Sequence, residues 1–127
     1  MAHLHNHVLP VGSRIGVYEI MEALKVGVFD ITYSAWNHHL KEPVEIQEYF
    51  PCDFAARTQD SVEVEPKSPN DKENFDYGLN KSLEQAEALI HIEHPNIVKT
   101  ENVLPYNGTD YLIRAYQEGA ALSKLEQ

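Results

Sequence analysis

The sequence has little cysteine, few basic residues and no long apolar run, and each shortage removes a class of protein. Its one cysteine, Cys52, has no partner for an internal disulfide, which fits a reducing compartment; a packing role is preferred to a nucleophilic one. Ten Lys and Arg stand against twenty Asp and Glu, a formal charge of −10 at pH 7. Nucleic-acid affinity rests on basic side chains displacing counterions, so no nucleic-acid partner is expected and a basic protein partner is admissible. The plainer alternative is an acidic surface that only keeps the chain in solution. No apolar run approaches a membrane span, and Met1 to His7 lacks the basic and apolar segments of a secretory signal. The expectation is a cytoplasmic protein with no membrane partner.

What is present is 127 residues, 43% hydrophobic and 24% charged, enough for one globular domain with a modest core. Residues 1–8 are read as a flexible N-terminus and 9–127 as the domain. His3, His5 and His7 alternate, but no carboxylate or cysteine beside them completes a metal site. Adjacent His38 and His39 point to opposite sides of an extended chain, so no metal is expected there either.

Ile15 through Leu24 interleaves apolar and polar residues and reads as a first strand. Lys25 to Asp30 is then a turn centred on Gly27, and Ile31 to Trp36 a second strand. Pro43 to Pro51 alternates around β-branched residues and reads as a third, buried strand with Gln47 at its centre. Residues 51–73 form an insertion-like loop, in which Ser61 to Pro66 is a short exposed ribbon and Ser68 to Asp71 a turn. From about Asp71 the period changes. Phe75, Leu79, Leu83, Ala86 and Ile90 make one helical stripe, with Asn70 or Asp71 as N-cap and an end before His94-Pro95. Ile97-Val98 with Val103-Leu104, and Tyr111 to Ile113, read as two more strands joined through Pro105 to Thr109, where Asn107-Gly108 is the strongest turn signal in the chain. Ala120 to Gln127 is read as a helical stub. Three strands, a helix and two strands predict an α+β layer pair, an antiparallel sheet with one main helix on a face.

From Leu9 to Leu122 the chain resembles the small (N-terminal) lobe of a bacterial Hanks-type serine/threonine protein kinase. The matching pieces are Leu9 to Ile20, Phe29 to Tyr33, Glu48 to Pro51, His94 to Val98 and Tyr116 to Gly119. The resemblance implies a five-stranded antiparallel sheet with one main helix. It also implies a place for ATP, and there this chain departs from the pattern. The three glycine positions of the phosphate loop hold Lys25, Gly27 and Asp30, so one glycine survives and a carboxylate enters where a polyphosphate would lie. The phosphate-holding lysine is replaced by Gln47, and its helix partner by Gln85, with Glu84 and Glu87 close enough to permit another register. Two amides could pair as a neutral substitute for that ion pair, or both could be solvated. Glu45 and Arg114 fall where adenine would sit, either filling the slot as a salt bridge or pointing outward.

No H-R-D-x-x-x-x-N or D-F-G motif occurs, so no catalytic residue, bound cofactor or metal is expected, and the chain is read as no enzyme. The leading reading is a noncatalytic, pseudokinase-like interaction or regulatory module that binds a protein or self-associates as a homodimer through exposed lobe surface. The alternatives are one part of a kinase completed by a large lobe elsewhere, with Lys25 standing in for the missing lysine, or a sensor that uses the altered pocket for another ligand.

Overall fold

The computed structural model describes residues 8–58, 62–90 and 100–115. Its strands are β1 (Arg14–Ile15), β2 (Tyr18–Val26), β3 (Asp30–Asn37), β4 (Glu42–Tyr49), β5 (Ala55–Arg57), β6 (Val64–Pro66), β7 (Thr100–Tyr106) and β8 (Thr109–Ala115). A 3₁₀ turn over Pro69–Asp71 runs into the one α-helix among the described residues, α1 (Lys72–Ile90). Six strands form one antiparallel sheet in the order β1-β2-β3-β4-β8-β7, while β5 and β6 pair as a separate ribbon.

Side-chain alternation along β4 defines the two faces of the sheet. Val44, Ile46 and Glu48 are fully buried on one face, and Glu45 and Gln47 lie half-buried on the other. The register carries this pattern to the neighbours. Ile46 stands opposite Tyr33 on β3 and Ile113 on β8, and Gln47 opposite Thr32 and Leu112. The main core therefore lies on the Ile46 face, where each fully buried isoleucine contributes about 1.5–3 kcal/mol. Helix α1 covers the opposite face at its β7–β8 side. Phe75 and Ala86 of the helix are buried, with Leu79 and Leu83 half-buried along the same stripe.

Several expectations change. The predicted first strand is split, because Gly16 (φ +60) and Val17 make a two-residue turn between Ile15 and Tyr18, and β2 then runs on to Val26. A glycine at the first position of such a turn is the type II′ signature. The α-helix starts at Lys72, directly after Asp71 and in line with the expected start, but a 3₁₀ turn over Pro69–Asp71 precedes it and carries the helical segment back to Ser68, because proline suits the first position of a helical turn. The second turn signal is sharp: Asn107 (φ 52) and Gly108 (φ 76) join β7 to β8 alone. Pro105 sits in β7, which is an edge strand and so tolerates the missing N–H. Helix α1 is described as far as Ile90, and the expected stop before His94-Pro95 lies outside the described residues. The histidines at positions 3, 5 and 7, the strand residues Ile97-Val98, the segment Tyr116–Gly119 and the stub from Ala120 lie outside the described residues.

The ribbon is not an exposed excursion. Ala55 and Val64 are buried, and the Val64 N–H donates to the Asn107 carbonyl at 2.7 Å. Its anchor is Arg57, whose Nη1 and Nη2 reach Glu48 Oε2 and Oε1 at 3.0 and 2.8 Å. The same carboxylate accepts the hydroxyls of Tyr33 and Tyr111, each at 2.7 Å, so each of its oxygens takes two hydrogen bonds. Arg57 also donates to the Val62 carbonyl and lies 5.0 Å over the Phe50 ring. Burial would lower its affinity for a proton, but the hydrogen bond and charge of Glu48 more than offset that. Burial and the Glu48 charge together push both tyrosines far above their ordinary range.

Candidate functional site

On the helix-covered face, the β2–β3 hairpin folds over a cavity of about 590 Å³ between the sheet and α1. The hairpin closes through the Gly27 N–H donating to the Asp30 carbonyl at 2.7 Å, which places Val28 and Phe29 at its tip. That tip is fastened down. The N–H groups of Phe50 and Cys52 donate to the carbonyls of Phe29 and Val28, each at 2.9 Å, prolonging the antiparallel pairing past the end of β4. Lys25 lies exposed on β2 opposite Thr32, outside the cavity wall.

Gln47 reaches into this wall from β4, and its Nε2 donates to Asp30 Oδ2 at 2.5 Å. Asp30 pairs with Tyr49 and Thr32 with Gln47, so Asp30 and Gln47 are diagonal neighbours on one face. A carboxylate is a stronger acceptor than an amide, which is why Gln47 turns to Asp30 rather than Gln85. Gln85 stays exposed on the helix side of the cavity and forms no hydrogen bond with Gln47, so the two glutamines do not make the neutral pair weighed from the sequence. Glu45 and Arg114 are direct register partners, their charged groups 3.5 Å apart and only partly exposed. Neither lines the cavity, which lies toward the hairpin tip and helix rather than toward this pair.

Sequence reasoning missed the other side of the cavity. Asp110 on β8 is buried, its Oδ1 3.5 Å from the Ser82 hydroxyl of α1 and its Oδ2 without a hydrogen-bond partner among the described residues. Burial raises its pKa from 3.8 to about 6, against a small opposing effect of Ser82. Tyr49 lies close under the helix, its hydroxyl 3.4 Å from the Phe75 carbonyl and its ring 5.8 Å from that of Phe75. Gly78 makes room for it: a Cβ there would stand 2.0 Å from the Tyr49 hydroxyl oxygen. Phe29 and Tyr77 are the exposed aromatic residues of the wall. The signal available in the sequence was Asp110 itself, one residue from the apolar run Tyr111 to Ile113.

Sheet order and helix placement together define the class: this is an α+β fold of the protein-kinase small-lobe type. The structure is similar to a solved one described as "PpkA-294 apo form", with a TM-score of 0.82 and 31% sequence identity over 87% of this chain. The match covers 39% of that protein's chain, so this chain spans well under half its length. No family model matches the sequence, and no curated protein does. No helix among the described residues is long and apolar enough to cross a membrane.

Proposed function

We propose that this chain is a noncatalytic kinase-like module with a degraded ATP site, acting through protein interaction or regulation. The observation that carries this reading is the hydrogen bond from Gln47 to Asp30. In the kinase pattern the first position supplies an ammonium and the second an uncrowded backbone, both serving phosphate. Here an amide is engaged by a carboxylate, so an incoming polyphosphate would meet negative charge and find no cation on β4. The Glu45–Arg114 pair supports the same reading, because two charged groups joined across β4 and β8 occupy the positions assigned to adenine. Exposed Met21, Leu24, Val26, Val28 and Phe29 along β2 and its hairpin offer apolar surface to a protein partner.

Calorimetry with Mg-ATP tests the reading. The chain as it stands is expected to give no saturable heat. The double substitution Asp30→Gly with Gln47→Lys removes the carboxylate and restores the ammonium, and is expected to bring weak binding back. Micromolar binding to the unsubstituted chain would refute the reading. The partial match to a longer chain favours a second possibility, a small lobe completed by a large one. Under that reading nucleotide affinity appears only after a large lobe is added, which the same titration reports.

A further inference from the structure

The cavity between the hairpin and α1 has the chemistry of a cation site. Among the described residues two carboxylates line it, Asp30 and Asp110, against one ammonium, Lys81. Lys81 is already engaged on the helix surface, 5.7 Å over the Tyr77 ring and 3.9 Å from Glu84. Asp30 is partly satisfied by Gln47, but Asp110 Oδ2 is buried and has no donor among the described residues. A buried acceptor left unmade is costly, so a donor brought in by a ligand gains what the free protein forgoes. Around the carboxylates stand the aromatic side chains of Phe29, Tyr49, Phe54 and Tyr77, whose ring faces attract cations. The volume, about 590 Å³, suits a small organic molecule, and the chain's charge of −10 draws cations toward it.

We propose that this cavity binds a small organic amine, its protonated nitrogen held by the Asp110 carboxylate at the wall and its apolar body among Phe29, Tyr49 and Tyr77. A primary ammonium fits better than a quaternary one, because only the former has an N–H to give. An anion is disfavoured by both carboxylates. A neutral molecule of the same shape gains the aromatic contacts but not the charge-assisted hydrogen bond. The proposal rests on the cavity and not on the reading of the nucleotide positions.

The test is a titration of the full 127-residue chain, followed by amide chemical shifts, with three probes of like size: 2-phenylethylamine, 2-phenylethanol and 3-phenylpropanoate. The amine is expected to saturate, with shifts centred on Gly78, Ser82 and Asp110. The alcohol should bind at least about tenfold more weakly and the carboxylate more weakly still. Asp110→Asn should bring the amine down to the alcohol's affinity while leaving the alcohol unchanged. Tyr77→Ala, at an exposed position that the fold does not need, should weaken the amine and the alcohol alike. Equal affinity for amine and alcohol, shifts centred elsewhere, or no saturation at millimolar concentrations overturns the proposal. The comparison of amine with alcohol needs no variant, so a misfolded Asp110→Asn would not shelter it. The amine and alcohol are titrated without nucleotide and the ATP calorimetry without amine, so each reading fails on its own measurement.

Discussion

Arg57→Met is the sharpest probe of what joins the ribbon to the sheet. The guanidinium it removes is almost buried, and the carboxylate it leaves behind is fully so, with side-chain exposures of 8% and 0%. Glu48 would keep the hydroxyls of Tyr33 and Tyr111 but lose both donors from Arg57, leaving a charge in the core with no counter-ion. Breaking a buried pair in this way costs about 3–5 kcal/mol, a large share of the roughly 5–15 kcal/mol that holds a domain together. At this chain length the corresponding fall in Tm is on the order of 10–20 °C. Urea denaturation followed through Trp36, the single tryptophan, gives the free energy, and differential scanning gives the Tm. Adding Glu48→Gln removes the stranded charge while keeping acceptor capacity, so the double variant should regain at least half the loss. High salt should change none of this, because the pair is out of reach of solvent ions. A loss below about 1 kcal/mol, or a double variant no better than Arg57→Met alone, would refute the assignment of Arg57 as the ribbon's anchor.

Two further outcomes follow from the cavity wall. Asp110 is held by burial at a pKa near 6 against 3.8 for the exposed group, so the native state takes up a proton that the unfolded chain lacks between these values. Stability due to this group therefore falls as pH rises through that window and stays low above it. Asp110→Asn should be more stable than the parent at pH 7, by roughly 2–3 kcal/mol, and the difference should close toward pH 4; a difference that grows on acidification would contradict the sign. Gly78→Ala should lose about 1–2 kcal/mol in urea titration, despite the better helix propensity of alanine, because the new methyl would press on the Tyr49 hydroxyl. Adding Tyr49→Phe should recover part of that loss, and a stabilising Gly78→Ala would show that the packing there is loose.

The alternation around Gln47, the helical stripe from Phe75 to Ile90 and the Asn107-Gly108 turn were legible because each is a local pattern with a local cause. The split at Gly16 was not, since a single glycine between apolar residues marks a turn only when the flanking residues pair with each other. The anchoring of the ribbon was half visible. Glu48 follows Val44 and Ile46 on the buried side of its strand, so a partner was required, but only the folded chain brings Arg57 back to it. The partner of Gln47 was misjudged for a related reason. Matching positions to a pattern pointed to the helix, whereas the nearest strong acceptor was a diagonal neighbour on β3. Asp110 was overlooked because nothing beside it in the sequence says that Ser82 and the helix will close over it.

The fastening of the hairpin tip decides how the cavity communicates with solvent. A roof stitched to the sheet by the main chain of Phe50 and Cys52 cannot lift without unpicking both stitches. Contact with solvent is left to the side wall, where the rings of Phe29 and Tyr77 and the polar side chains of Lys81 and Gln85 are all exposed. Whatever molecule enters therefore meets a fixed roof and a mixed aromatic and polar doorway.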